Sequence, residues 1–260
     1  MAELMAGKSV LVTGVRNRWS IAWHAVQSLH REGAQIALSV FGDREERGAA
    51  QLLEGAGISA PIFQCDATDS AQVEALYEKV GEAFGGKLDG MVHAIAFAKK
   101  EDLSGDYTDT SKEGFLLAHE SSVYTLVTLT KGARSLMQAA GGGSIVTLTY
   151  LGAERVVPNY NIMGVAKASL EASVRYLAND LGHDQIRVNA VSAGPIKTLA
   201  AGGIAGFGDM LKQFSERNLL RREVGAEEVG DSILFLLSPL GRGVTGETLY
   251  VDGGYNLVGF

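Results

Sequence analysis

A chain of 260 residues, 46% of them apolar, can bury the core of one α/β domain without a second unit. A formal charge of −7 supplies no basic face for nucleic acid or anionic lipid, so neither is expected as a partner. The lone Cys65 excludes an internal disulfide and a thiolate metal cage; with no secretory leader or membrane-length apolar run in view, the expected compartment is the cytoplasm.

Taken in chain order, short β-branched runs alternate with amphipathic stretches of helical length. Strands are expected at Ser9–Thr13, Gln35–Val40, Pro61–Cys65, Gly90–Ala94, Ser144–Thr149, Arg187–Ser192 and Thr248–Val251. Helices are expected at Ile21–Glu32, Glu45–Gly55, Ser70–Phe84, 113–139, 160–181 and 226–238. Strand then helix, repeated, builds a single-domain, Rossmann-like doubly wound parallel sheet of about seven strands with helices on both faces, spanning residues 1–260. The 33 glycines, against 4 prolines, cluster where strands should end, and Gly141-Gly142-Gly143 reads as a helix stop. In such a sheet ligands bind outside the carboxyl ends of the strands, so those ends carry the search for chemistry.

After the first strand comes Thr13-Gly14-Val15-Arg16-Asn17-Arg18-Trp19-Ser20-Ile21-Ala22. A glycine there permits close backbone approach, and the opening helix offers unpaired N–H groups to a pyrophosphate. Two glycines of G-x-G-x-x-G are missing, so the loop reads equally as an ordinary strand-to-helix turn, with Ser20 as its N-cap. The second strand ends in Val40-Phe41-Gly42-Asp43-Arg44, where a dinucleotide's adenosine ribose is read. A 2′-phosphate calls for a cation directly after the strand; Phe41, Gly42 and Asp43 come first, which favours NADH, while Arg44 keeps NADPH open. Past the third strand, Asp66 is placed either to accept from an adenine amino group or to cap the helix from Ser70.

Tyr160 and Lys167 stand seven residues apart at the start of a helical stretch, almost two turns, so they share a face with Met163. An ammonium beside a phenol lowers the cost of charge on the phenolic oxygen and can also bind sugar hydroxyls. Tyr150, closing the fifth strand, sits at the ligand-facing edge. The run Ser192-Ala193-Gly194-Pro195-Ile196-Lys197-Thr198-Leu199-Ala200 and the apolar stretch beyond it read as a substrate lid near 197–210, with an ordinary connection as the alternative. His93 lies in an apolar strand and reads as a structural residue. No His pair has metal-ligand spacing, so no metal is expected, and neither a Gly-x-Ser-x-Gly elbow nor a Walker loop is found.

Together these residues resemble the short-chain dehydrogenase/reductase superfamily and, within it, more closely the type I enoyl-acyl-carrier-protein reductases of bacterial fatty-acid synthesis. The resemblance runs from Val12-Thr13-Gly14 to Val251-Asp252-Gly253-Gly254. Ordinary members place the tyrosine four residues before the lysine, and that position is Met163; Tyr160 stands one turn earlier, as in the enoyl reductases. Thr13-Gly14 with Ser20-Ile21-Ala22 is similar to their glycine loop, and His93-Ala94-Ile95-Ala96-Phe97-Ala98 replaces the ordinary Asn-Asn-Ala-Gly-like turn. Arg16-Asn17-Arg18-Trp19 departs from that pattern in being bulkier and more basic.

The resemblance implies that NADH delivers hydride to the β-carbon of a trans-2-enoyl thioester while Tyr160 hydrogen-bonds the thioester oxygen as it becomes an enolate. It implies that Lys167 binds the nicotinamide ribose and that Tyr150 is the second active-site tyrosine. Cofactor contacts carried over are Gly14, Ser20, Ile21, Phe41, Asp66, Ala67, Ile95, Ile196, Lys197, Thr198, Leu199 and Ala200. Ala98, Met163, Ile204 and Phe207 match walls of the acyl pocket, which in this family binds biphenyl ethers such as triclosan. A homotetramer is implied, with an acyl carrier protein as partner. That partner is acidic, so docking needs a local basic patch, for which Lys212, Arg217, Arg221 and Arg222 are the candidates, with side chains that only decorate a solvated helix as the alternative. Two rival readings stand beside this one: an ordinary carbonyl-reducing dehydrogenase, opposed by Met163, and a non-catalytic dinucleotide sensor, opposed by Tyr160, Lys167 and the apolar lid.

Overall fold

The computed structural model describes residues 3–198 and 207–259. Its strands are β1 (Ser9–Thr13), β2 (Gln35–Val40), β3 (Ile62–Gln64), β4 (Gly90–His93), β5 (Gly143–Thr149), β6 (Ile186–Ala193) and β7 (Thr248–Val251). They form one parallel sheet in the order β3-β2-β1-β4-β5-β6-β7. The chain order reverses between β1 and β4, and there the two neighbouring connections leave in opposite directions and open a crevice.

The helices are α1 (Ile21–Arg31), α2 (Asp43–Ala56), α3 (Ser70–Ala83), α4 (Lys112–His119), α5 (Thr125–Ala139), α6 (Asn161–Leu181), α7 (Phe207–Arg217) and α8 (Ala226–Leu237). Two apolar clusters lie on opposite faces of the sheet: one draws on α1, α2 and α8, the other on α3, α5 and α6. Neighbours along β5 feed opposite clusters, Ile145 one and Val146 the other. A strand buried on both faces has no reason to alternate apolar with polar, which explains the unbroken apolar runs.

Two helical regions differ from the sequence expectation. The stretch over 113–139 is not one regular helix: a π-helical turn, Glu120–Tyr124, joins α4 to α5. The second difference is α7, which the sequence reading does not delimit and meets only as the solvated helix offered as an alternative for Lys212 and Arg217. Leu211 and Phe214, three residues apart, bury its inner face, a stripe too short to stand out beside the glycine-rich run before it. Among the described residues no helix is long and apolar enough to cross a membrane.

Candidate active site

The crevice is held open by backbone chemistry at the end of β1. The buried Thr13 hydroxyl donates to the Val92 carbonyl at 3.0 Å and accepts from the Ala94 N–H at 3.1 Å, tying β1 to the loop after β4. Gly14 follows with φ +80°, and a Cβ there would stand 2.1 Å from the Ala94 carbonyl oxygen. No other residue fits without moving the loop.

Ser20 occupies the N-cap of α1, but its hydroxyl makes no cap bond. It turns back on the loop instead, accepting from the N–H groups of Arg16 at 3.2 Å and Asn17 at 3.0 Å and donating to the Asn17 carbonyl at 2.8 Å. The capping reading of Ser20 is thereby corrected: the hydroxyl shapes the loop and leaves the first amides of α1 to other acceptors. Arg18 lies over the Trp19 ring at 4.6 Å, and Arg16 faces Glu45 at 3.7 Å, so both arginines have local partners.

The loop after β4 is braced from behind by the π turn, whose extra residue per turn swings successive serines toward it. Ser121 donates to the Phe97 carbonyl at 3.0 Å, and Ser122 accepts the Phe97 N–H at 3.1 Å. His93 is buried below, its ring nitrogens 2.8 and 2.9 Å from the hydroxyls of Thr147 and Thr125. Burial, with the Lys167 charge as a lesser cause, pushes its pKa down to about 3, so the imidazole is neutral.

The other wall is the end of β5 against the start of α6. Lys167, 5% exposed, donates from Nζ to the Leu148 carbonyl at 2.7 Å. Burial pulls its pKa down to about 8 while Glu171 pulls the other way. Tyr160 sits at the N-cap of α6 between Asn159 (φ +59°) and Asn161 (φ +31°), two left-handed positions that asparagine tolerates. Its ring meets that of Tyr150 edge to face, with centroids 5.1 Å apart and planes at 71°. Two glycines make the meeting possible. A Cβ on Gly152 would stand 2.5 Å from Cδ1 of Tyr160, and one on Gly164 would stand 2.8 Å from the Gly152 carbonyl oxygen. Burial raises the Tyr160 pKa, helped by Tyr150, and raises Tyr150 to about 12, helped by Tyr255; both phenols are protonated donors near neutral pH.

These walls enclose a cleft of about 460 Å³, within the size range of small-molecule sites. Of the residues expected at the site, Tyr150, Tyr160, Lys167, Gly14, Ser20, Ile21, Ile95, Ile196, Thr198, Ala98 and Met163 line it. Phe41, Asp66, Ala67 and Lys197 are not part of this lining. Phe41 is 71% exposed beyond the end of β2, and Lys197 pairs with Glu223 at 3.2 Å. Asp66 accepts from the N–H and hydroxyl of Thr68, whereas the helix beginning at Ser70 is capped by Asp69, which receives the N–H groups of Ala71 and Gln72. The capping alternative for Asp66 is therefore wrong. Leu199, Ala200, Ile204 and the Phe207 side chain lie outside the described residues. The cleft also takes in Phe97 and Leu103, which sequence reasoning missed, and Met210, the last residue of the expected lid segment, which the structure places on α7 with Sδ 3.5 Å from the Tyr150 hydroxyl. Gly152 and Gly164 were missed too, although a glycine one turn after a phenol was a visible signal of close approach.

Of the four candidate docking cations, Lys212 faces Glu216 at 4.0 Å and Arg222 grips Glu228 with two contacts of 2.8 and 2.7 Å. Arg221 donates to the Glu216 carbonyl, and Arg217 lines a second cleft beyond Tyr150.

Comparison with known proteins agrees with this geometry. A family model described as Enoyl-(Acyl carrier protein) reductase matches residues 14–256. The enoyl-acyl-carrier-protein reductase (NADH) FabI of Bacillus cereus is 49% identical over 258 residues, covering 99% of this chain and 100% of that protein. Its namesake from Escherichia coli is 46% identical, covering 97% and 95%. Among solved structures, the Bacillus cereus reductase with NADP+ and indole naphthyridinone superposes with a TM-score of 0.95 at 48% identity, covering 99% of each chain. The Anaplasma phagocytophilum reductase in complex with NAD superposes with a TM-score of 0.94 at 45% identity, covering 99% of this chain and 97% of that one.

Proposed function

The chain belongs to the enoyl-acyl-carrier-protein reductase family, and from that premise we propose that it reduces the carbon–carbon double bond of trans-2-enoyl-acyl-carrier-protein thioesters with NADH, the last reductive step of fatty-acid elongation. The observation that carries this reading is the wall on which Tyr150, Tyr160, Met163 and Lys167 line one cleft. A thioether stands where an ordinary carbonyl reductase keeps its phenol, and the phenol has moved one turn toward the mouth of α6.

The residues present fit a dinucleotide. Gly14 leaves a cradle that any Cβ would fill, the uncapped first turn of α1 opens on it, and the buried Lys167 offers an ammonium to ribose hydroxyls. Gly14, Ser20, Ile21, Ile95, Ile196 and Thr198 would hold the cofactor from the side of β1 and β6. Phe41, Asp66 and Ala67 follow β2 and β3 and serve the adenosine end. When bound, NADH would supply a hydride for the substrate's β-carbon; the α-carbon would take its proton from solvent, so that hydride and proton together saturate the double bond.

The protein's part is to stabilise the thioester oxygen while it carries negative charge. Tyr160 donates its hydroxyl to that oxygen, a bond that strengthens only as charge develops. Its raised pKa keeps the proton on the phenol, so the group acts as donor throughout. Tyr150 backs the Tyr160 ring and narrows its freedom. Ala98 and Met163, with Leu103 beside them, form an apolar wall for the acyl chain. Thr198 and Met210, which line the cleft from either end of 197–210, support reading that stretch as a cover over the substrate, with Ile204 and Phe207 as its apolar contacts and Lys197 to Ala200 beside the cofactor. All 260 residues are read as one domain.

The finer expectations are a homotetramer in the cytoplasm and docking of the acidic carrier protein through Arg217 and Arg221, since Lys212 and Arg222 are engaged by carboxylates. Light scattering reads the assembly directly. For the chemistry, a crotonyl thioester is offered with NADH or NADPH, and ketones are offered in parallel. Oxidation of NADH with the thioester and none with the ketones is the expected result. Preferential ketone reduction favours the carbonyl-reducing rival, and cofactor binding without turnover favours the sensor.

A further inference from the structure

One buried acid beside the site has no part in the reaction as described. Glu171 lies on α6 four residues after Lys167 and is 7% exposed. Its carboxylate accepts the Thr149 hydroxyl at 2.7 Å, while Lys167 donates to the carbonyl of the preceding residue, Leu148, also at 2.7 Å. Two side chains one helical turn apart thus grip consecutive residues at the end of β5, and the next residue is Tyr150. Both ionisable ends converge on the strand terminus that forms the cleft wall.

We propose that Glu171 is a positioning residue for Lys167: it supplies the buried negative charge that balances the ammonium and, through Thr149, fixes the strand end on which that ammonium rests. The proposal rests on the role of Lys167 toward the nicotinamide ribose. A buried cation without a counter-charge loses its proton more readily, and a carboxylate one turn away opposes that loss. The electrostatic surroundings agree. Glu171 raises the Lys167 pKa against burial. The Glu171 pKa is itself raised, first by burial and further by Glu154; against this, Thr149, Arg175 and Lys167 lower it. The charged and titratable groups facing the pair are Arg175 on α6, Glu154 beyond β5, Tyr250 on β7 and, on the Lys167 side, His93 on β4.

The test follows NADH affinity by fluorescence titration from neutral to alkaline pH, a readout independent of turnover. In the unaltered protein, affinity is expected to fall as pH rises through about 8 and Lys167 loses its proton. Glu171→Gln keeps an oxygen for Thr149 and removes the charge; its midpoint is expected to move down by about one pH unit. Thr149→Val removes the hydrogen bond and keeps the charge, as does Glu171→Asp by shortening the reach; both are expected to weaken NADH binding evenly across the pH range by loosening the strand end, and to leave the midpoint in place. An unshifted Glu171→Gln curve, or equal shifts in Glu171→Gln and Thr149→Val, overturns the proposal and leaves Glu171 a packing residue. Lys167→Ala separates the two levels of argument. Unchanged NADH affinity there overturns the ribose role and the proposal with it, whereas weakened affinity together with an unshifted Glu171→Gln curve overturns the Glu171 proposal alone.

Discussion

Adding one methyl group at Gly152 moves a catalytic ring without touching its chemistry. The new Cβ stands 2.5 Å from Cδ1 and 2.9 Å from Cε1 of Tyr160. Carbon atoms rest at about 3.5 Å or more, so the ring must retreat by about 1 Å. A displacement of that size at a reacting group costs on the order of 100-fold in rate, about 2.7 kcal/mol. Gly152 has no left-handed backbone angle, so the backbone adds no strain of its own. Gly152→Ala is therefore expected to lower kcat/KM for an enoyl thioester about 100-fold while circular dichroism shows a folded protein. NADH affinity should hold, because the methyl meets neither Lys167 nor the Gly14 cradle. In a Tyr160→Phe background the same change should cost little, since both act on one hydroxyl. Steady-state kinetics on the single and double variants, with fluorescence titration of NADH, reads all of this. Near-normal kcat/KM in a folded Gly152→Ala protein would refute the view that the Gly152–Tyr160 contact sets the position of the phenol.

Tyr160→Phe alone removes one donor from a developing oxyanion, so kcat should fall by about 100- to 1,000-fold with NADH affinity retained; equal loss of affinity would remove the division of labour between Tyr160 and Lys167. His93 makes a prediction about stability. Its pKa is about 3 folded against 6.5 in the open chain, so between those values the unfolded state binds a proton that the folded state refuses. The stability it contributes is complete above pH 6.5 and is lost as pH falls toward about 3. Urea melts of His93→Gln over that window should show a shallower decline than the unaltered protein, and parallel curves would mean that the imidazole charges without cost.

How much of this was legible in the sequence depends on how local the physics is. Ser9–Thr13, Gln35–Val40 and Thr248–Val251 were delimited from residue type alone, because β-branched runs bounded by Gly, Asp or Ser leave few alternatives. Tyr160, Lys167 and Met163 shared a face by simple helical arithmetic, and all three line the cleft. The misses are interactions between segments distant in the chain. The π turn at Glu120–Tyr124 answers to Phe97, more than 20 residues earlier, and leaves no periodic mark of its own. Ser20 had the right position and type for a cap, yet its hydroxyl is taken by the Arg16–Asn17 amides. The helix start at Ser70 is read correctly from the sequence, but an N-cap stands directly before the first helical residue, which makes it Asp69 and leaves Asp66 to the turn at Thr68. Glu171 carries no signal in the sequence, because its partner Thr149 stands 22 residues earlier, on β5.

The central claim concerns where the hydride goes. The protein is incubated with NADH carrying deuterium on the transferring position of the nicotinamide and with a trans-2-enoyl thioester, and the product is read by mass spectrometry. The account predicts a saturated thioester with a single deuterium on its β-carbon. A product that keeps its double bond, or one that carries deuterium on a carbinol carbon, would contradict it.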